Sequence, residues 1–249
     1  MKISVITVAY NAEKTIGDTI LSVLEQDHPE IEYIIIDGAS TDGTMSIVER
    51  FREKIAVIVS EPDKGIYDAM NKGISLATGD VVGILNADDF YLDGHVLSRV
   101  AEAMQDENVG AVFADLVYIR PENLSRPFRR YSSKRFDPSK FAYGWMPAHP
   151  TFFLRRRYYE AYGLYKTDYR IAADYELLIR MLYVHRVPYV YIPEVLIKMR
   201  LGGASTRSFK SNIVLNREIV RACRENGIET NFFKVYSKYP KKFLELIRR

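Results

Sequence analysis

The sequence predicts an α/β fold: a mainly parallel sheet with helices on both faces, followed by a helical C-terminal extension. Three observations lead there. Over residues 1–90, β-branched runs alternate four times with stretches whose apolar residues recur at helical spacing. The links between them are short. The runs are apolar at almost every position, as in strands buried on both faces. Such sheets gather their ligands at the carboxyl ends of the strands.

The elements follow in order. Residues 3–9 form the first expected strand, and Asn11 is placed to cap a helix carrying Ile16, Ile20, Val23 and Leu24. That helix should stop near Asp27-His28-Pro29, because proline excludes the preceding residue from a helix. Residues 31–36 are a second strand ending in the polar turn Asp37-Gly38-Ala39-Ser40-Thr41-Asp42-Gly43. A helix around Ile47, Val48 and Phe51 precedes a third strand at 55–59. The loop Glu61-Pro62-Asp63-Lys64-Gly65 then opens a helix with Ile66, Ala69, Met70, Gly73, Ile74 and Ala77 on one stripe. The fourth strand begins at Val81 and breaks off at Asn86-Ala87-Asp88-Asp89. Beyond it the spacing predicts a helix near 97–104, a strand at 110–119 and an extended basic segment at 120–140. A strand at 150–154, helices at 155–161 and 173–185 and a strand at 187–192 follow. The Gly202-Gly203-Ala204-Ser205-Thr206 loop precedes two final helices, near 208–226 and 232–248.

Composition narrows the function classes. The 249 residues are 47% hydrophobic, enough for a sizeable core, and no apolar run approaches the roughly 20 residues that span a bilayer. The short apolar start runs into Tyr10-Asn11 rather than a small-residue cleavage site, so a core strand is expected there and not a signal peptide. A single cysteine, Cys223, permits no internal disulfide and suits a reducing compartment. The net charge of +3 divides into −9 over residues 1–99 and +12 over 100–249. The first part can hold a cation and the second an anionic partner, although solvated charge gives the same split. Dinucleotide, P-loop, zinc-helix and nucleophile-elbow signatures are missing.

Asp88 and Asp89, adjacent at the end of a buried strand, are costly to ionise together unless a cation lies between them, which points to Mg²⁺ or Mn²⁺. The alternative is that Asp88 caps the next helix and Asp89 is merely exposed.

Four ordered motifs carry a family resemblance. They are Thr7-Val8-Ala9-Tyr10-Asn11, residues 33–44 around Asp37, residues 61–73 around Lys64, and Leu85-Asn86-Ala87-Asp88-Asp89, joined by His149-Pro150-Thr151 and Ala173-Asp174-Tyr175-Glu176. Together they resemble glycosyltransferase family 2, inverting nucleotide-sugar enzymes of the GT-A fold with a Rossmann-like sheet. The resemblance implies that Thr7, Ala9 and Tyr10 line a nucleotide pocket, that Asp37 accepts a hydrogen bond from the base, and that Lys64 holds ribose or diphosphate. Asp88 would lie near ribose and metal, Asp89 on the metal, and Asp174 would be the general base. His149 would face diphosphate or acceptor. Asn86 stands where many members have a first Asp, and Ala173 where they often have Glu. The Gln-x-x-Arg-Trp signature of processive synthases is missing.

The implied activity is metal-dependent, non-processive transfer of one sugar from a UDP- or GDP-linked donor to a hydroxyl of a surface-glycan precursor on a polyprenyl diphosphate. Residues 1–115 would bind the donor and 116–206 the acceptor, within one GT-A domain, and 207–249 would form a basic helical extension able to rest on the inner face of a membrane. The expected location is cytoplasmic, and nucleic acid is not an expected partner. Two alternatives stay open: a nucleotidyltransferase on a similar sheet, or a protein that binds nucleotide sugar or nucleic acid without turnover.

Overall fold

The computed structural model describes residues 1–202 and 209–237. The expected order begins with β1 (Ile3–Ala9), α1 (Ile16–Leu24), β2 (Ile31–Asp37), α2 (Thr44–Val48), β3 (Val57–Ser60), α3 (Ile66–Leu76) and β4 (Val81–Ile84). These four strands pair in parallel in the order β3-β2-β1-β4. Alternate residues serve opposite layers. Ile6, Val8, Ile34 and Ile36 face α3, whereas Ile3, Val5, Tyr33 and Ile35 face α1, so both faces of the sheet are buried.

The second half extends the same sheet. It contains β5 (Phe90–Tyr91), α4 (Val96–Ala103), β6 (Ala111–Arg120), β7 (Asn123–Tyr131), β8 (Phe153–Arg155), α5 (Arg156–Tyr162), α6 (Ala173–Ile179), β9 (Tyr189–Arg200), α7 (Phe209–Glu225) and α8 (Phe232–Tyr236). β8 is inserted antiparallel between β4 and β6, giving the order β3-β2-β1-β4-β8-β6-β9-β5, with β7 paired to β6. Gly83 makes the β4–β8 contact possible, since a Cβ there would collide with the Phe153 ring. Residues 115 and 116 both lie within β6.

Several expectations change. The strand expected at 187–192 runs to Arg200, crossing Pro193 at a register shift between Asp115 and its neighbours on β6, where no ladder hydrogen bond is required of the proline. The helix expected at 173–185 is α-helical to Ile179 and finishes as a π-helical turn. Asn11 does not cap α1. With φ 50° it donates its N–H to Ser40 Oγ (2.8 Å) and accepts from Thr41 N–H (2.9 Å), stitching the β1 and β2 loops together. The capping alternative is also removed: β5 follows Asp89, the next helix, α4, starts at Val96 with His95 at its N-cap, and Asp89 is buried rather than exposed. α7 is packed into the core, with Ala222 and Cys223 fully buried. The greater part of the Gly202–Thr206 loop and of the basic tail lies outside the described residues. Among the described residues no helix is long and apolar enough to cross a membrane.

Candidate active site

The carboxyl ends of β1, β2 and β4 come together by register. Ala9 is opposite Asp37, and Ala87 N–H donates to Val8 C=O (3.3 Å), so the acidic turn lies alongside the strand that delivers Tyr10. Tyr10 is two-thirds exposed at this edge. Thr7 is not available there: it is fully buried, and its hydroxyl accepts from Tyr33 OH (3.1 Å) in the layer beneath. Its side chain packs beneath the strand end, so like the buried Ala9 it offers mainly backbone at this edge.

Asp37 is fully buried and largely satisfied within its own turn. Its carboxylate accepts from Ser40 N–H (3.0 Å), Ser40 Oγ (2.5 Å) and Ser60 Oγ (2.7 Å), which leaves about one of its four acceptor positions open. A second carboxylate, that of Asp63, comes close to Tyr10. A Cβ on Gly38 would collide with Asp63 Oδ2 and meet the Tyr10 ring at 3.4 Å, so the missing side chain of Gly38 lets these two groups converge. Asp63 belongs to the motif at 61–73 but had no separate sequence signal. Lys64 is exposed, and its N–H donates to Asp68 Oδ2 (3.0 Å) at the start of α3.

In the acidic turn, Asp89 is fully buried; burial, reinforced by the charge of Asp88, pushes its carboxyl well above the usual range, against the opposing pull of Arg200. Asp89 Oδ1 accepts from Arg200 N–H (3.3 Å), while Asp89 Oδ2 and Asn86 Oδ1 are buried with no hydrogen-bond partner. Orphaned buried oxygens are rare in proteins. Two of them beside a second carboxylate are the hard-oxygen donor set that suits Mg²⁺ or Mn²⁺, so the residues fit the ion. Asn86 supplies a neutral oxygen where a carboxylate is common. Among the described residues no group of three His, Cys, Asp or Glu side chains forms a ready metal cluster, so further ligands would have to come from the donor or from water. Arg200 braces the turn by donating to Asp88 C=O (2.7 Å), pairing with Asp18 and lying over the Phe90 ring. Because β9 was expected to end eight residues earlier, Arg200 carried no sequence signal.

His149 is positioned from β8. Phe153 is opposite Gly83 in an antiparallel pair, so the chain preceding Phe153, which carries His149, lies past the carboxyl end of β4 where the acidic turn begins. His149 Nδ1 is 3.2 Å from Asp174 Oδ2. A carboxylate only accepts, so this pairing calls for a proton on Nδ1. Asp174 Oδ1 takes Tyr175 N–H (2.8 Å), and the Asp174 side chain is 13% exposed. The approach to Asp174 is held from two directions. Tyr67 OH from α3 donates to Ile171 C=O, and Glu218 from α7 accepts the N–H groups of Arg170 (2.7 Å), Ile171 (2.8 Å) and Ala172 (2.9 Å). Concavities of about 520 and 750 Å³ lie elsewhere, near Arg224–Lys234 and around Leu182–Tyr189, and include none of these residues.

The family model described as glycosyl transferase family 2 matches residues 4–163. The chain belongs to this family. A PGL/p-HBAD biosynthesis glycosyltransferase of Mycobacterium bovis is 31% identical over 180 residues, covering 71% of this chain and 68% of the relative. The fold is GT-A, as shown by solved structures. TarS of S. aureus superposes with a TM-score of 0.69 at 21% identity over 92% of this chain, which spans 41% of that longer protein. The mannosyltransferase PcManGT of Pyrobaculum calidifontis, solved with GDP-Man and Mn²⁺, has a TM-score of 0.67 at 24% identity, covering 90% of this chain and 63% of that one. This family 2 glycosyltransferase therefore carries its candidate residues on one end of a GT-A sheet, with Asp63, Arg200 and Glu218 added by the structure.

Proposed function

We propose that the chain is an inverting, metal-dependent, non-processive glycosyltransferase that moves one sugar from a nucleoside-diphosphate sugar to a hydroxyl of a lipid-linked surface-glycan precursor. The supporting observation is the place of His149, whose stretch of chain adjoins the acidic turn while its ring pairs with Asp174. A donor diphosphate at the first and an acceptor hydroxyl at the second would meet at one edge of the sheet. Donor recognition is assigned to the Tyr10 ring and the carboxylates of Asp37 and Asp63. TarS solved with UDP and PcManGT solved with GDP-Man support either base as a candidate.

Asp174 accepts the proton of the acceptor hydroxyl as that oxygen attacks the anomeric carbon from the face opposite the diphosphate. The bond from anomeric carbon to diphosphate oxygen breaks, and the nucleoside diphosphate leaves with the electron pair, which inverts the configuration. His149 orients the Asp174 carboxylate, and Tyr175 N–H fixes its other oxygen. Asp88, Asp89 and Asn86 would hold a divalent cation, which supplies positive charge against the diphosphate when bound. An Asp174→Asn variant should bind donor nucleotide normally in a thermal-shift titration and lose transfer in an assay over a panel of UDP- and GDP-sugars. Unchanged transfer would remove Asp174 from the role of base.

A further inference from the structure

The hairpin of β6 and β7 is the most strongly basic surface that the proposed reaction leaves unused. From Arg120 to Arg135 it carries six cations against one acid, Glu122. Arg130 is held by the buried Asp115 (2.7 Å), whereas among the described residues Arg120, Arg126, Arg129, Lys134 and Arg135 form no ion pair with a carboxylate. Two of these guanidinium groups lie over aromatic rings, Arg120 over Phe128 and Arg129 over Tyr118, each 4.7 Å from the ring centroid. Phe128 is 37% exposed between Pro127 and these cations. Charged side chains on an edge strand discourage pairing with other strands, but that role gives no reason for an exposed phenylalanine among them. Basic residues interleaved with an exposed aromatic ring suit a surface that is anionic outside and apolar just beneath, which describes the headgroup region of a bilayer.

The hairpin stands at the mouth of the candidate site. Ile119 is opposite Arg200, whose N–H is bonded to Asp89, so the turn at 121–122 continues past the acidic residues. Its returning strand is fastened beside the His149–Asp174 pair, because Ala148 N–H donates to Ser133 Oγ (3.0 Å) and Tyr131 OH to Met146 C=O (2.8 Å). We propose that this hairpin docks on an anionic bilayer, its arginines and lysine on lipid phosphates and Phe128 in the interface. The candidate site is thereby held against the membrane. The proposal deepens the reading of a lipid-linked acceptor, on which its biological sense rests, but its test requires no transfer.

The test is sedimentation of the full chain with phosphatidylcholine vesicles, with and without phosphatidylglycerol. The parent should bind only the anionic vesicles, and less as salt rises. The variant Arg126→Gln/Lys134→Gln/Arg135→Gln should bind them on the order of 100-fold more weakly, from roughly fivefold for each basic residue at an anionic surface. Phe128→Ser should weaken binding while leaving its salt dependence in place. A thermal-shift titration with UDP and GDP, unaltered in the variants, reports an intact fold and donor side. A triple variant that binds like the parent would overturn the proposal. So would loss of binding confined to Lys241→Gln/Lys242→Gln in the basic tail, or a parent that binds soluble acidic polysaccharide but not vesicles.

Discussion

Removing the Glu218 carboxylate should damage transfer although this side chain lies on α7, away from the proposed chemistry. In Glu218→Ala, three charge-assisted hydrogen bonds to Arg170, Ile171 and Ala172 are lost, at 2.7, 2.8 and 2.9 Å. Each such bond is worth roughly 1.5–3 kcal/mol, but water can replace the partner of the exposed Arg170 and partly that of Ile171. Ala172 is buried, so its N–H is left orphaned at about 1–3 kcal/mol, and a total near 2–4 kcal/mol is expected. The loosened segment runs directly into Asp174. Displacement of a catalytic group by about 1 Å can cost on the order of 100-fold in rate, so kcat should fall ten- to a hundredfold while the KM for donor stays within about twofold. Glu218→Gln keeps one acceptor oxygen and should recover most of the loss. Steady-state transfer kinetics with a separate thermal-unfolding scan make the measurement. A donor KM that rises in step with the fall in kcat, or full activity in the alanine variant, would refute the reasoning.

Three further outcomes are expected. Asp89→Asn should abolish the rise in melting temperature that Mn²⁺ gives the parent, and an unchanged rise would place the ion elsewhere. Asp63→Asn should weaken binding of the preferred nucleoside diphosphate by about tenfold without loss of stability, whereas Asp37→Asn should lower stability as well, because it disturbs the Ser40 and Ser60 bonds; calorimetric titration and unfolding scans separate the two. Glu32 governs part of the acid limb. Burial pushes its carboxyl up, but bonds from Lys2, Ser4 and Thr78 outweigh this and hold it at about 2. A depressed carboxyl stabilises the fold above its unfolded value near 4.5 and loses that contribution as pH falls toward about 2. The amount is on the order of 3 kcal/mol, so Glu32→Gln should unfold more readily at neutral pH and show a flatter decline in acid.

The parallel core was legible because local chemistry settles it. Residues 3–9, 31–36 and 81–85 are mostly apolar and largely β-branched, and a run of that kind buried on both faces is a strand whatever its neighbours. The acidic turn was legible for the same reason, since it ends such a run. Features that depend on contacts distant in sequence were not. The ring of His149 meets Asp174 only because β8 is inserted between β4 and β6, and Glu218 reaches Ala172 across 46 residues. The strand expected at 187–192 continues past Pro193 because the register shift on β6 that accommodates the proline is set by the partner strand. Asp37 is expected to accept from the base, and most of its acceptor positions are already occupied by Ser40 and Ser60. A turn rich in serine and aspartate offers such internal partners, and sequence does not decide between them and a ligand.

The embedding of α7 bears on how the protein is made. Translation delivers β1 to β9 before residues 209–225, so until α7 docks an emerging chain lacks both the Ile219, Val220, Ala222 and Cys223 part of its core and the carboxylate that secures the Asp174 segment. Competence for transfer would then arrive late, when that helix leaves the ribosome and docks. Premature termination before Phe209 would leave that core layer uncovered and the Asp174 segment unsecured.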